Sequence, residues 1–134
     1  MLTYHDSWPY FARRHGFHVI GAVQPSDFAD PSPKEVVRLI EQIRKEKVSA
    51  VFGSEVFPSP VLEQIAKEGK SRYIEKLRDD ELPGKPGDPQ HSYIGMMVEN
   101  MTIMFEALGG SAVALKKVDP APVAGAHADY RRKN

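Results

Sequence analysis

Cysteine is missing from all 134 residues. That absence excludes a disulfide frame and a thiolate metal site. Any transition metal must therefore be held mainly by His, Asp, Glu or water. Neither sign of charge is in excess: 18 Lys and Arg balance 18 Asp and Glu. Acids and bases are interspersed, so nothing favours nucleic acid or an anionic membrane as a partner. No stretch approaches the roughly 18 apolar residues that a membrane-spanning helix needs. The opening Met1-Leu2-Thr3-Tyr4-His5 has neither a basic start nor a long apolar run, so it does not read as a secretory signal. A nucleophile elbow, a phosphate loop, internal repeats and low-complexity segments are all missing as well.

What is present has the length for one domain with its own core. Four short apolar segments alternate with four helical patterns. Leu2 to Tyr4, Phe17 to Val23, Val48 to Phe52 and Ser71 to Leu77 read as strands. A first helix is expected from Ser7-Trp8-Pro9, with Ser7 as its cap, to a stop at Gly16. Ser32-Pro33-Lys34-Glu35 has the form of a capping box with proline in the first turn. Val36, Leu39, Ile40 and Ile43 then follow helical spacing. Ser59-Pro60 opens a third helix carrying Val61, Leu62, Ile65 and Ala66 inward. Arg78 to Gln90 holds three Pro, two Gly and four acids and reads as a loop. Asp88-Pro89 offers another cap-and-proline pair. From Ser92 a long amphipathic pattern runs through Ile94, Met97, Val98, Met101, Phe105 and Leu108 to Gly109-Gly110.

Such βα alternation predicts an α/β fold: a four-stranded parallel sheet with right-handed crossovers and helices on both faces. The expected domain covers residues 1–116, with 117–134 a flexible, Pro- and Ala-rich tail ending in Arg131-Arg132-Lys133. In such folds the residues just past the strand ends share one edge, where ligands bind. His5, Glu55 and the loop from Asp79 to His91 are therefore expected on one rim.

The segment His5-Asp6-Ser7-Trp8-Pro9-Tyr10-Phe11-Ala12-Arg13-Arg14-His15-Gly16-Phe17 resembles a motif of the cluster A-I zinc and manganese substrate-binding proteins of ABC importers. Pro31-Ser32-Pro33-Lys34-Glu35, Val51-Phe52-Gly53-Ser54-Glu55, Asp79-Asp80-Glu81-Leu82-Pro83-Gly84 and Ser92-Tyr93-Ile94-Gly95-Met96-Met97 with Asn100 follow in the family's order. The resemblance covers roughly residues 1 to 110 and implies one lobe of a two-lobe metal receptor, the C-terminal one, without its N-terminal lobe. It also implies a binding module and not an enzyme, with a divalent ion as ligand (Zn2+, alternatively Mn2+) and an ABC permease as partner. The implied location is the periplasm or a lipid-anchored outer surface.

By the same resemblance His5 is a metal ligand. Asp80, two residues before Leu82, is the favoured last ligand, with its neighbour Asp79 the alternative. Asp88 and His91 are weaker candidates, and Asp88 is equally well explained as a helix cap. Glu55 either orients a ligand or is a solvated loop acid. A lobe on its own uncovers apolar surface, which favours a homodimer. The rival readings are a metal-independent interaction domain and, further off, a small metal-dependent hydrolase with Glu55 as base. Trp8, Tyr10 and Phe11 are expected to pack the first helix, with Trp8 near the cleft. Met96, Met97, Met101 and Met104 are read as core.

Overall fold

Strands β1 (Leu2–His5), β2 (Gly21–Gln24), β3 (Ala50–Ser54) and β4 (Arg72–Leu77) pair as one parallel sheet in the order β2-β1-β3-β4. The computed structural model describes residues 1–24, 31–54 and 59–121. Helices α1 (Pro9–His15), α2 (Pro33–Glu46), α3 (Pro60–Gly69) and α4 (Tyr93–Ala107) follow β1, β2, β3 and β4 in turn, and a 3-10 turn spans Val113–Lys117. This is the α/β layout that the alternation predicts.

The interior strand β3 is buried along its whole length. A strand covered on both faces needs no polar alternation, but its period of two still sorts side chains between two cores. Val51 joins Leu39, Ile40 and Ile43 of α2 and Leu62, Ile65 and Ala66 of α3 on one face. Ala50 and Phe52 face the other, with Trp8 and with Met104 and Ala107 of α4. The sheet is thus covered by α2 and α3 on one side and by α1 and α4 on the other.

Helix α2 begins as its sequence predicts. Glu35 N–H donates to Ser32 Oγ, and Ser32 N–H and Oγ–H both donate to Glu35 Oε2 at 2.8 and 2.7 Å. Those bonds hold the Glu35 carboxyl below the usual glutamate range. Because the folded value is the lower one, the stabilisation is complete above the unfolded pKa and is lost as pH falls through the folded pKa. Ser32→Ala is expected to cost about 1 kcal/mol at neutral pH. The melting difference between the wild type and Glu35→Ala should close in acid, which a series of thermal melts across pH checks.

Three local expectations are corrected. The strand expected over Phe17 to Val23 is shorter at its start and begins at Gly21, where pairing with Leu2 begins. Phe17 instead stacks on Phe11, with ring centroids 5.7 Å apart, and meets Phe105 of α4. Ser7 does not cap α1; the N-cap is Trp8, without a side-chain bond, because the Ser7 hydroxyl is engaged elsewhere. Asp88 does not cap α4: Ser92 does, accepting from Gly95 N–H at 2.9 Å. Beyond α4 the chain doubles back, and the Ser92 hydroxyl donates to the Pro120 carbonyl. Residues 122–134 of the expected tail lie outside the described residues.

Candidate metal centre

The strand order reverses direction around β1: the chain moves from β1 to β2 on one side, then to β3 on the other. The crevice between the ends of β1 and β3 is therefore a switch point, the usual ligand position in open parallel sheets. His5 ends β1 there, level with Gln24 of β2. Its backbone is held by the buried Thr3, whose hydroxyl donates to the His5 carbonyl at 2.9 Å. Its ring lies 4.5 Å from that of Tyr4. The imidazole is half-buried, accessible from the rim without being part of the core.

A small cleft at this point is lined by His5, Trp8, Gly53, Ser54, Leu77 and Asp79, among others. Gly53 fits because the Tyr73 hydroxyl lies where a side chain would begin: a Cβ there would come within 2.8 Å of it. Burial raises the Tyr73 phenol above its ordinary pKa, so it stays protonated, and it accepts from Ser59 N–H at the start of α3.

The acidic side of the cleft comes from the exit of β4. Pairing shifts there: Gly53 is level with Glu75 but Ser54 with Leu77, so Lys76 is an extra residue. Such a bulge reverses which way the following side chains face. Asp79 then lines the cleft, and its Oδ2 accepts from the Ser7 hydroxyl at 2.8 Å. Ser7 is a site residue that its sequence context disguises, because a serine before Trp-Pro looks like a helix cap.

The structure thus brings His5 together with Asp79. Asp79 and Asp80 are both exposed, but Asp80 lines neither this cleft nor the neighbouring groove. Asp88 Oδ2 instead accepts from Lys85 N–H at 2.9 Å, and His91 Nδ1 meets the Pro83 carbonyl at 3.1 Å. Both serve to close the loop on itself. Glu55 lies outside the described residues. Among the described residues no three His, Asp or Glu group closely enough to enclose a metal ion. Among the described residues the cleft offers one imidazole, His5, and one carboxylate, Asp79, a nitrogen and oxygen donor pair suited to zinc or, with more oxygen, manganese. Beside it a groove lined by Tyr10, Tyr93, Met96 and Met97 also reaches Asp79, and Tyr10 is 88% exposed.

Residues 1–107 match the family described as ZnuA, zinc-uptake complex component A periplasmic. The zinc-binding protein TroA of Treponema pallidum is 26% identical over 113 residues, 81% of this chain and 36% of that protein. The manganese-binding lipoprotein MntA of Bacillus subtilis is 27% identical over 112 residues, with 81% and 37% covered. The iron-binding protein YfeA of Yersinia pestis is 28% identical over 109 residues, with 81% and 34% covered. The solved structure of the Treponema pallidum protein superposes with a TM-score of 0.68 at 27% identity, covering 81% of this chain and 40% of that one. The chain spans a little over a third of the length of these curated relatives. They are named for three different metals, so likeness alone does not choose among zinc, manganese and iron.

Proposed function

Because this chain belongs to the ZnuA family of periplasmic zinc-uptake components, we propose that it is the C-terminal lobe of a divalent-metal receptor serving an ABC importer. Its ion is held by His5 and by one acid of the Asp79-Asp80 pair. The family is one of metal-binding receptors and not of enzymes. One observation carries the site: His5 at the end of β1 and Asp79 just beyond β4 line a single cleft at the switch point of the sheet. Asp79 is the donor that placement favours, and Asp80, two residues before Leu82, is the alternative.

The chemistry is capture. A neutral imidazole and a carboxylate replace part of the ion's water shell, and binding releases protons where the imidazole starts charged. Imidazole suits zinc better than manganese, so Zn2+ is the proposed cargo. Two donors leave the shell half open, to be completed by water or by donors from another chain. Tyr10 and Tyr93, largely exposed beside Asp79, give that side of the rim an apolar surface. We assign it to contact between two copies, with the ion between them. The receptor role places the chain outside the cytoplasmic membrane, periplasmic or lipid-anchored, handing its ion to a permease. Among the described residues no helix is long and apolar enough to cross a membrane.

Thermal melts with zinc and with manganese test this reading. Zinc should raise Tm more than manganese does, and Asp79→Ala should lose most of the rise while Asp80→Ala keeps it. The opposite pattern moves the donor to Asp80. A rise that survives both substitutions contradicts a site at this rim. Light scattering should show two chains per particle in zinc, and a mass of one chain with and without zinc removes the dimer.

A further inference from the structure

Asn100 stands in the middle of α4 and is fully buried. A carboxamide taken out of water must find partners for both its ends. Both partners belong to one residue: Arg78 N–H donates to Asn100 Oδ1 at 3.0 Å, and Asn100 Nδ2 donates to the Arg78 carbonyl at 2.7 Å. In an extended segment the N–H and C=O of one residue point the same way, so a single amide spans them as a neighbouring strand would. Arg78 is the first residue beyond β4 and immediately precedes Asp79. Its guanidinium is drawn to the same helix, with Nε 3.3 Å from Glu99 Oε2.

We propose that Asn100 is a positioning residue for the metal site: by gripping the Arg78 backbone it sets where Asp79 and Asp80 stand relative to His5. The proposal rests on the metal-receptor reading. Two other features act on the same few residues. The extra Lys76 redirects the strand end, and Ser7 holds the Asp79 carboxylate from the β1 side. Asn100 ties the backbone of this exit to the helix layer, alongside the Arg78–Glu99 ion pair, so the carboxylate's position does not rest on the exposed loop alone. Ligand-supporting groups of this kind typically change metal affinity by about 10–100-fold when lost.

The test compares Asn100→Ala with Met104→Ala in the full 134-residue chain. Met104 is equally buried, one turn further along α4, and packs in the apolar core without a part at the Arg78 backbone. Zinc affinity is measured by calorimetry well below both melting temperatures, and amide hydrogen exchange is measured without metal. Asn100→Ala should weaken zinc about 10–100-fold, while Met104→Ala stays within about threefold of the wild type. Exchange at Arg78 and Asp79 should accelerate in Asn100→Ala alone. If the wild type binds zinc and the two variants bind it equally, the proposal is overturned. If the wild type binds no zinc, the metal reading fails on its own; faster exchange confined to Asn100→Ala then still supports the positioning role, and unchanged exchange overturns it. Asn100→Asp, which keeps the shape and the acceptor but loses the donor, reads the same two quantities if the alanine variant does not fold.

Discussion

His5→Ala is expected to abolish the zinc-induced rise in melting temperature and to change the metal-free melting temperature much less. The two halves of this expectation come from different features of the same residue. His5 ends its strand at the rim and is half-buried, outside both apolar clusters. Its backbone carbonyl, which any residue would supply, takes the Thr3 hydroxyl. Removing the imidazole takes away its contact with the Tyr4 ring but nothing from either apolar cluster, so its effect on folding is the smaller one. For an ion it removes one of two proposed donors, and the lone carboxylate left behind competes poorly with water. At zinc about 100-fold above Kd, binding stabilises the wild type by about 2.7 kcal/mol, a shift on the order of 10 °C. In His5→Ala that shift should disappear. Thermal melts with and without zinc check both halves, and a full shift in the variant would place the ion elsewhere.

Gly95→Ala is the second large expected effect, and its sign is the opposite of the usual one. In an exposed helix the change normally helps by about 0.8–1.0 kcal/mol. Here the new Cβ would lie 2.1 Å from the carbonyl oxygen of Gln90 and 2.8 Å from its carbon. Those atoms are backbone and cannot rotate away, so the first turn of α4 or the 88–91 turn must move. Overpacking of this kind costs about 1–3 kcal/mol, enough to outweigh the helix gain. His91, next to Gln90, meets the Pro83 carbonyl, so the displacement also reaches the acidic loop. Denaturant unfolding should show a less stable variant, and one as stable as the wild type would contradict the close approach.

Much of this arrangement is legible in the residues. Ser32-Pro33-Lys34-Glu35 announces α2 because the capping box is a local device whose partners lie three residues apart. The βα alternation is legible because burial on both sheet faces demands apolar strands and striped helices. What escapes depends on partners distant in sequence. Ser7 resembles a cap because its bond to Asp79 crosses most of the chain. Phe17 resembles a strand start because the aromatic contacts to Phe11 and Phe105 exist only once α1 and α4 share a face. The choice between Asp79 and Asp80 turns on a single extra residue, Lys76, which changes the facing of everything after it. The family resemblance, through the position two residues before Leu82, implies Asp80, whereas Asp79 lines the cleft beyond the bulge. Gly95 and Asn100 belong to one motif in the sequence, yet their neighbours are Gln90 and Arg78, outside the helix that carries them.

In the proposed receptor lobe, His5 and the acids at the exit of β4 serve one cation. Amide NMR spectra recorded with rising Mn2+ test it most directly, since the paramagnetic ion broadens only the resonances near it. Broadening should appear first and together at His5, Ser54, Asp79 and Asp80, and should be displaced by zinc. Broadening centred instead on the acids of α3, on His15 and His18, or spread evenly over the surface would contradict it.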